Sequence, residues 1–196
     1  NGVIIGTAGG GKSVAAKVEI LRALPRGVQV VVIDPGESGE YVRLARAVGG
    51  QVVRLSAGSF DRINPLDLPG AGDDAQYDVL GEHIASVLRL LEVLLAGEDE
   101  RLGPAEKASL ETALFACYKA AGITRERGTH ARPAPTLPDL YATLCAGADP
   151  FGLAERLARY CTGALSGLFS GHTTAAMDNL LTVFDLRAQI CIVQPA

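Results

Sequence analysis

The chain has 196 residues, of which 48% are hydrophobic, 5% aromatic and 20% charged, with a formal net charge of −4. That apolar share excludes a disordered chain, and the length suits one good core or a core with a smaller subdomain. The acidic balance gives no overall electrostatic reason to bind nucleic acid or an anionic membrane, and no run approaches the roughly 20 apolar residues of a membrane span.

The first residue is Asn rather than Met, and the first apolar stretch runs straight into a glycine loop. The expectation is therefore an excised domain or partial chain with missing flanks, without a signal peptide. "NGVII" is a short β-branched run that predicts a buried strand. "GTAGGGKS" follows, and then Val14, Val18, Leu21 and Leu24 recur at helical spacing until Pro25-Arg26-Gly27 stops the helix. "VQVVVID" predicts a second strand, apolar on both faces as central parallel strands are. "GEYVRLARAVGG" predicts a helix ended by Gly49-Gly50, and "QVVRLS" a third strand. This is the βαβ rhythm of a parallel sheet covered by helices.

Beyond about residue 73 the rhythm changes. "EHIASVLRLLEVLLAGEDE" places Ile84, Val87, Leu88, Leu91 and Leu95 on one helical face. "GPAEKASLETALFACYKAAG" predicts a second amphipathic helix, with Pro104 in its first turn and Gly122 beyond its end. "RERGTHARPAPT" is a polar linker. "TLPDLYATL" restarts a helix with Thr136 as N-cap and Asp139 three residues on, and "DPFGLAERLARYCTG" predicts another. The expected organisation is a P-loop core over 1–72, an all-helical insertion over 73–165, and a return to the core over 166–196. "QICIVQ" is a last strand candidate. Four cysteines, Cys117, Cys145, Cys161 and Cys191, show no metal spacing and are expected as buried thiols of a reduced protein. His83, His130 and His172 are scattered without ligand spacing.

The glycine loop meets G-x-x-x-x-G-K-[ST] in full, through Gly6, Gly11, Lys12 and Ser13. Chance would produce it in on the order of one per cent of chains this long. Each position has a task in holding phosphate. Gly6, Thr7, Ala8, Gly9, Gly10 and Gly11 supply backbone N–H groups that can close on phosphate oxygens, and the following helix adds its positive end. Lys12 reaches the β- and γ-phosphates, and the Ser13 hydroxyl ligates Mg²⁺. ATP and Mg²⁺ are thus the expected cofactors.

Three further stretches narrow the class: "IDPGESGEY", with Asp34 at a strand end and Glu40-Tyr41 opening a helix; "RINPLDL"; and "PTLPDLYATL" followed by "GALSGLFSGHT…FDL". In this order they resemble the conjugation and type IV secretion ATPases of TrbE/TraC type, within the wider HerA–FtsK superfamily of P-loop motors. The resemblance implies an α/β, RecA-like domain that hydrolyses ATP as a hexamer or a related homo-oligomer such as a dimer. It implies a cytoplasmic place at the inner membrane, with other secretion-system components as partners, powering pilus assembly or substrate transfer. Two other readings stay open: a HerA/FtsK-like DNA-translocating ATPase, which the net charge does not support, and a nucleotide-binding docking module with little turnover.

The resemblance implies that Asp34 lies near the nucleotide; the residues alone equally allow a turn residue before Pro35. Glu40 is a weaker catalytic candidate, because "DPGESGEY" is longer than the usual "DPxGEY". Asn64-Pro65 reads as a turn. The family's apolar strand ending in Asp-Glu has no counterpart here, and Gln194 in "AQICIVQPA" instead resembles the polar sensor residue of the strand that follows it. A discontinuity between Leu186 and Arg187 would account for this. Arg125, Arg127 and Arg132 lie in the polar linker, and an arginine finger cannot be assigned among them.

Overall fold

The computed structural model describes residues 3–7, 9–36, 38–56, 58–70, 78–96, 101–163, 165–175 and 178–186. The chain divides into two compact units, Asn1–Asp61 with Ala175–Ala196, and Arg62–Thr174.

In the first unit, α1 (Lys12–Ala23) leads through a 3₁₀ turn and Gly27, at φ 73°, into β1 (Val30–Asp34). There follow α2 (Glu40–Val48), β2 (Gln51–Arg54) and, late in the chain, β3 (Leu181–Asp185). The three strands form one parallel sheet in the order β1-β3-β2. A last strand thus lies between the two earlier ones, the crossover arrangement expected of an α/β fold. Ile20, Val42, Ala45, Leu181 and Val183 make its core, with Leu24, Val30, Val32 and Val52 packed around them. Gly50 sits where the chain turns from α2 into β2. A Cβ there would stand 2.9 Å from the Leu181 carbonyl oxygen, so only glycine lets this turn approach β3.

The second unit is helical: α3 (Val79–Leu95), α4 (Pro104–Ala120), α5 (Leu137–Ala146), α6 (Leu153–Cys161) and the short α7 (Ser166–Phe169). Its helices start where side chains satisfy their leading amides. The Asp78 carboxylate accepts from Gly81 N–H, Glu106 from Gly103 N–H, Asp139 from Thr136 N–H, and Asp149 from the N–H groups of Leu153 and Ala154. The core runs through Leu66, Ile84, Leu91, Leu110, Leu114, Tyr118, Leu140 and Leu157. Each fully buried leucine contributes roughly 1.5–3 kcal/mol.

Several expectations are corrected. Within "NGVII" the described residues 3–5 lack regular structure, and Val3, Ile4 and Ile5 are exposed, because none of the described strands pairs with them. The stripe Val14, Val18 and Leu21 is exposed, and α1 buries Ile20 instead. "VQVVVID" is a strand but lies at the sheet's edge among the described residues, with Val31 and Ile33 exposed; β3 takes the central place. Cys117 and Cys161 are buried free thiols, each raised by burial to about 11, but Cys145 is exposed. "QICIVQ", Cys191 and the Leu186–Arg187 junction lie outside the described residues.

Candidate functional site

The glycine loop is exposed and closes on itself. Gly9 and Gly11 both have φ 78°, a left-handed conformation that residues with a Cβ rarely adopt, and Gly10 N–H donates to the Thr7 carbonyl at 3.1 Å. α1 begins immediately after Gly11. Its first intrahelical bond runs from Ala15 N–H to the Gly11 carbonyl at 2.9 Å, so the amides of Lys12, Ser13 and Val14 have no acceptor one turn back. No acidic residue stands in the first turn to compete for the helix's positive end. Lys12 Nζ donates back to the carbonyls of Gly6 at 2.9 Å and Thr7 at 2.7 Å. Among the described residues no carboxylate pairs with it. Free leading amides, left-handed glycines and an ammonium held only by neutral carbonyls suit a polyphosphate. Ala8, assigned to the same cradle, lies outside the described residues.

A second group of polar residues gathers at the carboxyl ends of the strands, the edge where open α/β sheets place their ligands. Asp34 closes β1 and Asp185 closes β3, and the two are register partners; Arg54, at the end of β2, is the partner of Asp185 on the other side. Both carboxylates are nearly fully buried, Asp34 being 5% and Asp185 2% exposed. Asp34 Oδ1 accepts from Gly36 N–H at 3.0 Å, whereas its Oδ2 is buried without a hydrogen-bond partner. Arg54 Nε stands 3.5 Å from Asp185 Oδ2. The ladder continues through Leu186 N–H to the Asp34 carbonyl and Leu55 N–H to the Asp185 carbonyl, each at 3.1 Å. Asp185 is not among the site residues expected from the sequence, nor is β3 among the expected strands. The available signal was the apolar run "LLTVFDL" closing on an acid, the same pattern as "VVVID". An unpartnered buried carboxylate oxygen fits a divalent cation, so the residues present suit both parts of an Mg²⁺–nucleotide.

Glu40 is the first residue of α2, and its carboxylate is held by Lys17 of α1 at 2.5 Å. That hydrogen bond and charge lower its pKa below the ordinary carboxylate value. Lys17 Nζ also stands 5.8 Å from the Tyr41 ring centre. Gln194 lies outside the described residues. Arg125 and Arg132 are engaged within the helical unit, Arg125 with Asp78 and the face of Phe115, and Arg132 with the Gly122 carbonyl. Among the described residues no group of three or more His, Cys, Asp or Glu side chains is arranged to hold a metal, and no helix is long and apolar enough to cross a membrane.

A glycine loop capping a helix beside a parallel α/β sheet defines a P-loop nucleotide-binding domain. The family model of the TraG P-loop domain matches residues 1–132, and the chain belongs to that family. The fold is similar to that of VirB4 of Thermoanaerobacter pseudethanolicus, with a TM-score of 0.76 and 32% identity over 90% of this chain and 47% of that one. The chain thus spans about half the length of that protein. No curated protein gives a significant match. The resemblance to conjugation and type IV secretion ATPases and the α/β fold read from sequence are both borne out.

Proposed function

We propose that the chain is the nucleotide-binding part of an ATP-hydrolysing motor subunit of a type IV secretion or conjugative transfer system. One observation carries the reading: the Gly6–Ser13 loop, with its left-handed glycines, opens onto the bare first turn of α1 in a chain of the TraG P-loop family. ATP is the ligand, its phosphates taking the amides of the loop and of Lys12 and Ser13. Lys12 exchanges the carbonyls of Gly6 and Thr7 for the β- and γ-phosphates, a trade of neutral for charge-assisted hydrogen bonds. Ser13 and the acids at the strand ends are the groups that would hold Mg²⁺, which when bound neutralises charge developing on the phosphates. Asp34, whose buried Oδ2 has no hydrogen-bond partner, is the acid we assign to that task. The working form is a homo-oligomer, a hexamer or dimer, on the cytoplasmic face of the inner membrane beside other secretion-system components.

The test is fluorescent-nucleotide titration of the chain and its Lys12→Ala variant. Removing the lysine is expected to weaken ATP affinity by about tenfold or more, the equivalent of a lost charge-assisted hydrogen bond. In a longer form that turns ATP over, the same change should abolish phosphate release. Equal affinity of the two proteins would overturn the assignment of the loop.

A further inference from the structure

We propose that Asp185 is a second acidic residue of the nucleotide site, forming with Asp34 a carboxylate pair that receives the divalent cation carried by ATP. The proposal rests on the nucleotide-binding reading above and adds to it a residue, a geometry and a counter-ion.

The two aspartates are register partners on neighbouring parallel strands, so both side chains leave the sheet on the same face, with backbones about 4.8 Å apart. Both lie at the strands' carboxyl ends, where the crevice of an α/β sheet opens. Burial of this kind is costly for a carboxylate unless its oxygens are matched. Asp185 has Arg54 beside it. Asp34 has one oxygen engaged by Gly36 N–H and the other, Oδ2, buried with no partner. That oxygen is an open ligand position, and a cation is the group that relieves it.

The number of acids indicates which cation. A free divalent ion needs a fuller set of protein oxygens than two carboxylates, and among the described residues no group of three or more His, Cys, Asp or Glu side chains is arranged to hold one. Mg²⁺ bound with phosphates, in contrast, keeps several waters and takes only one or two carboxylates from the protein. The pair therefore suits a cation arriving on a nucleotide rather than a resident ion. Arg54, about half exposed, holds Asp185 from the β2 side and leaves the β1 side to Asp34. Its positive charge opposes the incoming cation, so Arg54 tunes the strength of the pair.

The experiment measures fluorescent ATP binding to the whole chain twice, once with Mn²⁺ and once with EDTA, for the wild type, Asp34→Asn, Asp185→Asn, Arg54→Gln and Lys12→Ala. The wild type should bind more tightly with Mn²⁺. Asp34→Asn and Asp185→Asn should each weaken binding by about tenfold or more in Mn²⁺ without weakening it in EDTA, where loss of a carboxylate can only lessen repulsion of the phosphates. A merely structural aspartate would weaken both equally, and that result overturns the proposal. So does full retention of the Mn²⁺ gain in Asp185→Asn. Arg54→Gln, which removes the opposing charge and keeps a polar side chain beside Asp185, should enlarge the Mn²⁺ gain; an unchanged or reduced gain counts against the pair even if Asp185→Asn does not fold. Lys12→Ala separates the two readings. It should weaken binding under both conditions, and if it changes neither, the nucleotide assignment itself fails and the pair falls with it.

Discussion

Asn64 shows how much a single side chain carries in the helical unit. It is 3% exposed, and its Nδ2 donates to Asp67 Oδ1 at 2.8 Å and to the Pro135 carbonyl at 2.9 Å. Its Oδ1 accepts from Leu66 N–H at 3.1 Å, and its own N–H donates to Thr173 Oγ1 at 2.8 Å. "RINPLDL" reads as a turn in the sequence, and a turn is present, with Asp67 N–H donating to the Asn64 carbonyl. The residue does something further: its side-chain amide ties the start of the unit to the cap of α5, and its backbone N–H ties it to the segment that leaves the unit. Asn64→Ala strands two buried partners, the Leu66 N–H and the Pro135 carbonyl, and the half-buried Asp67 carboxylate, and is expected to destabilise the unit by about 3 kcal/mol, at 1–3 kcal/mol for each buried unmatched group. Asn64→Asp should be at least as harmful, because it turns a carboxylate oxygen toward Asp67 and the Pro135 carbonyl. Urea unfolding of the two variants checks this, and a midpoint for Asn64→Asp equal to wild type would show the hub to be dispensable. Asn64 and Asp185 share the reason they were hard to read. Their partners lie far along the chain, and nothing in the local pattern announces a contact of that kind.

At the scale of elements, the helices were legible and the sheet was only partly so. α3 to α6 carry their apolar stripes and caps within a few residues, and the Thr136–Asp139 cap and the face of Ile84, Val87 and Leu91 fell where the spacing put them. A strand's place depends on non-local pairing, so "VQVVVID" was legible as a strand but not as an edge, and β3 escaped notice. Helix contacts also contain a titration that no pattern shows. His83 of α3 meets Tyr118 of α4 edge to face at 6.2 Å, and its Nε2 is buried without a partner. Burial lowers its pKa below the ordinary 6.5, only partly offset by a hydrogen bond to the Leu66 backbone and the charge of Asp67. The unfolded chain therefore takes up a proton near pH 6.5 while the folded chain resists it. The stabilisation by neutral His83 is complete above that pH and is lost as pH falls through the lower folded value. Asn at 83 keeps a donor for Leu66 but cannot titrate. His83→Asn should accordingly flatten the fall in urea midpoint between pH 7 and 5, a range that ends above the ordinary carboxylate titration. A slope identical to wild type would remove His83 from the account.

At the scale of the molecule, the two units have separate cores, one running from Leu66 to Cys161 and the other from Ile20 to Val183. The family-model match, residues 1–132, runs through parts of both. The helical unit also fastens its own ends. Arg62 N–H donates to Thr174 Oγ1 at 2.9 Å, Thr174 N–H returns to the Arg62 carbonyl at 3.1 Å, and Thr173 Oγ1 donates to Asp67. The entry and exit segments of the unit thus lie side by side. A unit with its own core and adjacent termini is one that can be cut out whole. A fragment of residues 62–174 is therefore expected to fold alone, with a helical circular-dichroism spectrum and one cooperative thermal transition. Thr173→Val and Thr174→Val together should lower that transition, at about 1 kcal/mol for each hydrogen bond lost, or about 4 °C per kcal/mol for a fragment of this size. A fragment that is unstructured, or that melts without cooperativity, would mean that the helical unit draws its stability from the rest of the chain. The clasp at Arg62 and Thr174 would then be a consequence of that support.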